Sequence, residues 1–360
     1  SFHRTMTQTA TPENLQVELD DTVVELSGAA YEFSVQGDEI YVEMPDFETQ
    51  AEDRIRRRLA LVTGSHHMHI LWFETGTSRR LAMLPIVYRL DEQRWIPRRA
   101  AFLDSNRDVN IEDGRWNVMC SRCHSTDPRP YCDKETEECD TQVAEFGISC
   151  EACHGPGSTH IEQANAGIEE GAYGLAVDLD DKGRSAWVMN PDTGIASRSE
   201  ARLEPQQQPE SCGRCHSRRG IIVPDYEYGR PLADTHMPAL LEEGLYFADG
   251  QILDEVYVYG SFLQSRMYRA GVTCTDCHNP HSGELVAGSN SDDVCAQCHL
   301  PTKFAVTEHA GHLPEQAGCI DCHMTSRTYM VVDDRRDHSF RIPRPDMSEA
   351  LGTPNACTSC

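Results

Sequence analysis

The chain repeats one short pattern whose residue types suit covalent attachment of a haem. Cys-x-x-Cys-His occurs six times in complete form, and a seventh copy, Cys357-Thr-Ser-Cys360, stops where its histidine would follow. Two thiols at this spacing can add across the haem vinyl groups, and the adjacent histidine then lies under the iron as an axial ligand. The complete copies are Cys120/Cys123/His124, Cys150/Cys153/His154, Cys212/Cys215/His216, Cys274/Cys277/His278, Cys295/Cys298/His299 and Cys319/Cys322/His323.

Other uses of paired cysteines fit this pattern less well. Zinc would pair the motifs into four-cysteine sites and would not require a histidine after every second cysteine. A thioredoxin-like redox site needs one such motif rather than six, and the spacing of iron–sulfur ligands is absent. We therefore predict covalently bound haem c, with six haems on the complete motifs and a seventh on Cys357 and Cys360.

Histidines outside the motifs are the natural candidates for the second face of each iron. Sixteen histidines less the six in the motifs leave ten. A second histidine gives a six-coordinate iron that exchanges electrons with little rearrangement, whereas an open face allows a substrate to bind. The predicted distal ligands are His66, His67, His160, His236, His281, His309, His312, His338 and His3.

These candidates differ in how they are placed along the sequence. His281 follows the motif histidine His278 so closely that we expect it to cap a neighbouring haem. We expect one residue of the adjacent pair His66–His67 to ligate, and one residue of the pair His309–His312. His69 shares a strand face with His67 and is expected to be structural.

The composition predicts that haems fill most of the interior in the region of the motifs. Hydrophobic residues make up 39% of the chain and aromatic residues 7%, which is little material for a conventional core. Haem macrocycles are large and apolar, so we expect short helices and loops wrapped around them. The net charge of −26 disfavours nucleic acid and anionic lipid surfaces, and would attract a basic redox partner or simply maintain solubility.

The haem motifs divide the chain into two predicted regions. Residues 1–115 contain no motif, whereas residues 116–360 contain all of them. The fold class we predict is mixed, with little regular secondary structure: a small antiparallel β unit over about 15–100, then a mainly helical and irregular multihaem cytochrome domain. A Gly-, Asp- and Gln-rich stretch between 165 and 210 is predicted to be a long loop. Alternating segments predict strands at Thr22–Ser27, Tyr31–Val35, Glu39–Met44, Arg58–Val62, Met68–Phe73 and Leu81–Tyr88.

The remaining two cysteines, Cys132 and Cys139, suit a small disulfide loop, with two free thiols as the alternative. No apolar run is long enough for a transmembrane helix. Since haem is attached covalently outside the cytoplasm, we expect a periplasmic or extracellular location, and a leader peptide that was removed or lies upstream.

Several segments resemble one family of multihaem cytochromes. Ser149–His160 resembles a haem segment of the cytochromes related to hydroxylamine oxidoreductase and to the tetrahaem cytochrome of ammonia oxidisers. Gly64–His67, Trp116–Ser125, Val272–Ser282 and Asp337–Pro345 resemble a bacterial subgroup that often carries tetratricopeptide repeats. The resemblance implies closely packed haem pairs, an eighth haem upstream of Ser1, and a longer protein than this chain.

Three classes of function are compatible with the sequence. The first is an electron carrier with mostly bis-histidine haems that exchanges electrons with redox proteins, including other multihaem cytochromes, and that could form a conducting oligomer or filament. The second is an oxidoreductase of small nitrogen or sulfur compounds with one open-faced haem. The third is a sensory or scaffolding module. The surplus of histidines favours the carrier.

Overall fold

The computed structural model divides the chain into two compact units. It describes residues 5–46, 53–76, 78–101, 116–168, 174–180, 186–200, 206–329 and 333–359. Two predicted haem-binding residues, His3 and Cys360, lie outside these ranges. The first unit comprises Ser1–Ala152 and Thr328–Asp333, and the second comprises Cys153–Arg327 and Asp334–Cys360. The predicted boundary between residues 115 and 116 marks where the haem motifs begin. It is not the boundary between the two units, and it stays a prediction.

The first unit is built on one antiparallel sheet. Its strands follow the order β2-β3-β4-β5-β6-β7-β8, and β1 pairs with the C-terminal half of β5, with Thr7 opposite Thr63. The end strands β2 and β8 lie against each other, so that the sheet is nearly closed. The strands are β1 Thr7–Thr9, β2 Val23–Leu26, β3 Ala29–Gln36, β4 Glu39–Pro45, β5 Arg54–Thr63, β6 Met68–Glu74, β7 Leu81–Arg89 and β8 Arg94–Pro97.

The strands form where apolar and polar residues alternate in the sequence. In β4 the side chains of Ile40, Val42 and Met44 are fully buried and their neighbours are not, as a sheet with one covered face requires. Gly37 has a positive φ of 64° and begins the two-residue turn between β3 and β4, a position that favours glycine. The predicted antiparallel sheet is confirmed, while β1 and β8 were not predicted.

Two apolar clusters among the described residues stabilise this sheet, and both belong to the first unit. One cluster includes Phe33, Ile40 and Leu84. The other includes Trp72, Met83 and Trp116, and Cys120 of the first haem motif packs against it. The first motif therefore begins against a conventional side-chain core.

The predicted disulfide is confirmed between Cys132 and Cys139. It closes a small loop that is hydrogen-bonded to the segment leading into β7. The Cys139 backbone N–H donates to Ser78 Oγ at 3.0 Å, and the Arg79 N–H donates to the Cys139 carbonyl at 2.8 Å. An ion pair between Arg80 and Glu137 at 2.9 Å adds a further contact.

Replacing both Cys132 and Cys139 by serine should lower the free energy of unfolding of the first unit by about 2–3 kcal/mol, because a closed loop of this size restricts the unfolded chain. Urea unfolding followed by circular dichroism of the sheet measures the change. Lys134→Ala, an exposed change within the same loop, is the control and should leave stability unaltered. Equal stability of the double variant and the control would contradict the prediction.

Helices throughout the described part of the chain are short. The longest of them, α5, has ten residues, and no helix among the described residues is both long and apolar enough to cross a membrane. The helices are α1 Arg98–Ala101, α2 Ser121–His124, α3 Cys150–His154, α4 Ser158–Asn165, α5 Gln207–His216, α6 Tyr259–Gln264, α7 Arg266–Arg269, α8 Ser291–Ala296, α9 Pro301–Phe304, α10 Thr307–Ala310, α11 Cys319–His323 and α12 Pro345–Leu351.

Short strands and tight helical turns complete the architecture. The strands are β9 Ser125–Thr126, β10 Glu145–Phe146, β11 Trp187–Asn190, β12 Ile195–Arg198, β13 Arg219–Ile221, β14 His236–Pro238, β15 Ser326–Tyr329 and β16 Asp333–Arg336. Trp116–Cys120 forms a π-helical turn, and 3₁₀ turns lie at Leu232–Asp234, Cys274–Asp276, Pro314–Gln316 and Ala356–Ser359. The predicted mixture of short helices and loops around the motifs is confirmed.

The prediction of a long loop between 165 and 210 is wrong in part. Strands β11 and β12 pair as a hairpin, Trp187 opposite Arg198, and α5 begins at Gln207. The turn of the hairpin contains the Asp192 N–H, which donates to Asn190 Oδ1 at 2.9 Å, and Gly194 with a φ of 73°. A hairpin is indicated by Asn-Pro-Asp-Thr-Gly between two short alternating runs. The high polarity of the whole segment led instead to the prediction of a loop.

Candidate haem-binding sites

Short helical segments present the cysteine pairs. The first motif ends with α2, the second and sixth coincide with α3 and α11, and the third ends α5. The fourth motif begins a 3₁₀ turn, and Cys295 of the fifth lies in α8. In a helical turn, residues three apart lie on one face, so both thiols of a motif can reach one macrocycle.

The predicted attachment cysteines differ in exposure, although the sequence treats them as equivalent. Cys150, Cys153 and Cys357 are exposed, and the other described motif cysteines are partly buried. The partly buried set is Cys120, Cys123, Cys212, Cys215, Cys274, Cys277, Cys295, Cys298, Cys319 and Cys322.

Cys123 and Cys215 are the second thiols of the first and third motifs. Cys123 lies in α2 and Cys215 in α5, each directly before its motif histidine. Neither is disulfide-bonded, and each takes part in a polar or electrostatic contact with the surrounding chain. The structure therefore places both residues as partly buried thiols within helices, and their individual roles as thioether anchors stay predictions.

The first motif is held by a buried asparagine. The Asn117 side chain is fully buried; its Oδ1 accepts the Leu81 N–H at 3.1 Å, and its Nδ2 donates to the Arg79 carbonyl at 3.0 Å and to Thr141 Oγ1 at 2.8 Å. Asn117 lies in the π-helical turn that leads into Cys120. A π turn is a frequent feature of functional sites, and here its hydrogen bonds fix the approach to the motif.

Three motif histidines each face a second histidine. The ring centroids of His154 and His281 are 6.3 Å apart, with the planes inclined by 16°. The centroids of His278 and His338 are also 6.3 Å apart, inclined by 32°, and those of His309 and His323 are 6.0 Å apart, inclined by 20°. Two imidazoles on opposite faces of one metal, each with a metal–nitrogen bond of about 2 Å, have centroids roughly 6 Å apart.

Burial favours the neutral form of three of these imidazoles. It is the largest cause that lowers the pKa of His154, His278 and His338. For His154, the neighbouring His281 and then His160 lower the pKa further, against the Val177 carbonyl and Asp178, which raise it. A neutral imidazole has a free nitrogen lone pair, which is the form that binds iron.

Backbone carbonyls orient two of the rings through the nitrogen that would not bind iron. His323 Nδ1 lies 2.7 Å from the Arg341 carbonyl, and His338 Nδ1 lies 2.9 Å from the Arg336 carbonyl. If Nδ1 donates this hydrogen bond, Nε2 keeps its lone pair free. Most metal-binding histidines donate a hydrogen bond of this kind from the ring nitrogen that does not bind the metal.

The first motif histidine is held differently. Burial lowers the pKa of His124, and the Met6 carbonyl opposes that shift. The same carbonyl accepts the Gly64 N–H at 2.9 Å, so His124 lies near the turn between β5 and β6. His66 and His67 are exposed in that turn, and His66 Nδ1 is 2.9 Å from Ser65 Oγ.

His69 is structural, as predicted. It is fully buried, its Nδ1 lies 2.8 Å from the Gly64 carbonyl, and its Nε2 accepts the Gln16 N–H at 3.1 Å. Because Nε2 accepts, Nδ1 carries the proton. Both nitrogens of His69 are therefore engaged within the first unit.

The other predicted distal ligands occupy varied positions in the second unit. His160 lies in α4 and acts electrostatically on His154. His236 is buried in β14, with Nδ1 at 2.8 Å from Thr235 Oγ1 and its ring 6.1 Å from that of Tyr226. His312 Nδ1 lies 3.3 Å from the Leu313 carbonyl, whereas His309 faces His323. Within the described ranges, no three or more His, Cys, Asp or Glu side chains gather as a metal-binding group.

Phe304 was not predicted to belong to the site. Its ring makes edge-on contacts with His299 at 5.5 Å and with His309 at 5.3 Å, and so it separates two histidines that belong to different motif pairings. Its position five residues after His299 carried no signal in the sequence, because the contact depends on how α9 folds back.

Comparison with known proteins agrees with this geometry. Residues 267–304, which include the fourth and fifth motifs, match the family model described as the doubled CXXCH motif. The chain is a multihaem c-type cytochrome. Its CxxCH motifs bind haem c covalently, and the cysteine pairs and ring spacings described above fit that group.

One solved structure is similar to the cytochrome over much of its length. The undecaheme cytochrome from the S-layer of Carboxydothermus ferrireducens is 17% identical, with a TM-score of 0.40. The match covers 84% of this chain and 50% of that chain, so this cytochrome spans about half the length of the other protein. No curated protein matches. The narrower resemblance to hydroxylamine oxidoreductase relatives and to repeat-bearing cytochromes stays a prediction.

Proposed function

We propose that this cytochrome carries electrons along a row of haems, most of which have histidine on both faces of the iron. The observation that supports this most strongly is the set of three histidine ring pairs with centroids 6.0–6.3 Å apart. On this basis we propose His281 as the distal ligand of the second haem, His338 of the fourth and His309 of the sixth. Iron capped on both faces changes oxidation state with little rearrangement and offers no position for a substrate.

The pairings also suggest which haems are neighbours. His278 is the proximal ligand of the fourth haem, while His281, three residues later, faces the second. The Asn279 side chain fixes this short segment, because its Oδ1 accepts the His281 N–H at 2.9 Å. Because the two histidines are so close along the backbone, we propose that the second and fourth haems lie side by side.

Contacts between motifs extend this row to the fifth and sixth haems. Gln297 Nε2, within the fifth motif, donates to the Asp276 carbonyl of the fourth at 3.5 Å. Asp292 Oδ1, just before the fifth motif, accepts the Cys319 N–H of the sixth at 2.9 Å. We infer the spatial order second, fourth, fifth, sixth.

We also propose a periplasmic or extracellular location. The Cys132–Cys139 disulfide supports an oxidising compartment, as does covalent haem attachment. The net charge of −26 favours redox partners with a basic docking face, and association should weaken as salt rises.

Spectroscopy of the fully loaded protein tests the proposal. Low-temperature electron paramagnetic resonance of the oxidised form should show low-spin ferric haem as the dominant signal, and the reduced form should bind little carbon monoxide. A dominant high-spin signal, with turnover of nitrite or hydroxylamine, would overturn the carrier proposal in favour of an oxidoreductase.

A further inference from the structure

Arg198 is a buried cation beside the fourth haem motif. Its side chain is 6% exposed and lies 3.7 Å from the carboxylate of Asp276, which is 11% exposed and stands between Cys274 and Cys277. The Arg198 guanidinium also lies over the Trp187 ring at 4.9 Å. A buried charge of this kind is costly unless it serves another charge nearby.

The hydrogen bonding of Arg198 is incomplete. Nε donates to the Gly271 carbonyl at 2.8 Å, but the buried Nη2, which is the atom 3.7 Å from the Asp276 carboxylate, makes no hydrogen bond. The Asp276 carboxylate is occupied elsewhere, because it accepts the Thr273 N–H at 2.8 Å and the Trp187 indole N–H at 3.4 Å. A buried guanidinium N–H without a partner suits a carboxylate, and haem carries two propionates.

The hairpin that carries Arg198 also contacts the fifth motif. The Ala196 N–H donates to the Cys298 carbonyl at 2.8 Å, and the Leu300 N–H donates to the Gly194 carbonyl at 2.8 Å. Lys303 Nζ donates to the Asp192 carbonyl at the tip of the hairpin. One face of the β11–β12 hairpin is therefore bonded to the fifth motif while its base reaches the fourth.

We propose that Arg198 is a positioning residue that sets the reduction potential of the haem attached through Cys274 and Cys277, held there by a hairpin that also fixes the fifth motif. A fixed cation close to a haem favours the ferrous form, which carries one positive charge fewer than the ferric form. Removal of Arg198 also leaves the Asp276 charge uncompensated, which favours the ferric form. Both effects lower the potential.

Arg198→Gln should therefore shift a single one-electron step in a spectroelectrochemical titration of the loaded protein. At a fixed potential, the ferrous-to-ferric ratio of that haem should fall about threefold or more, equivalent to roughly 30 mV because a tenfold change is 59 mV for one electron. Asp276→Asn should shift the same step in the opposite direction. Arg198→Lys, which keeps the charge, should retain most of the potential of the unmodified protein.

Arg230→Gln is the matched control, because Arg230 is 58% exposed and pairs with Asp234 on the surface. It removes the same formal charge and should leave every step within error. The proposal is overturned if Arg198→Gln and Arg230→Gln titrate alike, or if Arg198→Lys behaves like Arg198→Gln. Intact mass shows whether Arg198→Gln carries its haems. If it does not, the titration of Asp276→Asn tests the proposal by itself, and an unchanged potential of that step rejects it.

This inference depends on haem attachment at the fourth motif and not on the nature of the distal ligands. If the spectra of the unmodified protein show mainly high-spin haem, the carrier proposal fails but the Arg198 titration can still succeed. If the spectra are low-spin and the step does not move, the Arg198 proposal alone fails.

Discussion

Replacing His281 by alanine should convert one haem from low spin to high spin and add one carbon monoxide bound per chain in the reduced state. The substitution removes the imidazole that faces His154 at 6.3 Å, and alanine offers no ligand. His281 is exposed, so the fold should survive. Spin quantification by electron paramagnetic resonance and a carbon monoxide titration measure the effect.

His160 provides the matched control for this substitution. Like His281, it lowers the pKa of His154. Both residues are distal-ligand candidates by sequence. His160→Ala should leave the second haem low-spin. The reverse result, a high-spin haem in His160→Ala and none in His281→Ala, would assign the second haem to His160 and refute the pairing with His281.

Asn117→Ala should lower the free energy of unfolding of the first unit by about 2–4 kcal/mol. The side chain makes three hydrogen bonds at a fully buried position, and its loss leaves the Leu81 N–H, the Arg79 carbonyl and the Thr141 hydroxyl without this partner. Each unsatisfied buried group costs about 1–3 kcal/mol, with partial relaxation. Urea unfolding followed by circular dichroism measures the change in the free energy of unfolding.

Asn14→Ala serves as the comparison for Asn117→Ala. Asn14 also bonds through its side chain, to the Thr9 carbonyl at 3.0 Å and to Gln8 Nε2 at 3.2 Å, but these contacts are exposed or partly exposed to water. We expect a loss below about 1 kcal/mol there. Similar losses for the two variants would show that the buried network around Asn117 contributes little.

The haem-attachment residues could be predicted from the sequence because each motif is local. Cys274, Cys277 and His278 lie within one turn of the backbone, so their spacing alone indicates their chemistry. The same holds for the strands of the first unit, whose alternating residues such as Ile40 and Val42 reflect a two-sided sheet. Neither the near closure of that sheet nor the pairing of β1 with β5 follows from local pattern, because both depend on distant strands.

The partner of each motif histidine could not be predicted for the same reason. His338 faces His278 only after the chain between them has folded, and nothing in the residues around His338 specifies that choice. Arg198 was missed because its segment is polar and its importance lies in burial beside Asp276, which is visible only in the folded chain. Spacing therefore predicted the kind of group bound, and tertiary contacts supply the coordination and electrostatic environment.

The placement of His281 has a consequence for how the protein is made. If the chain is exported as proposed, His154 and its cysteines emerge well before His281, which lies in the sequence beyond the third and fourth cysteine pairs. On the proposed pairing, the second haem must then wait with one face open until the segment around the fourth motif arrives. During maturation the nascent cytochrome would pass through an oxygen-reactive stage that the finished protein lacks, and folding of the second unit would end it.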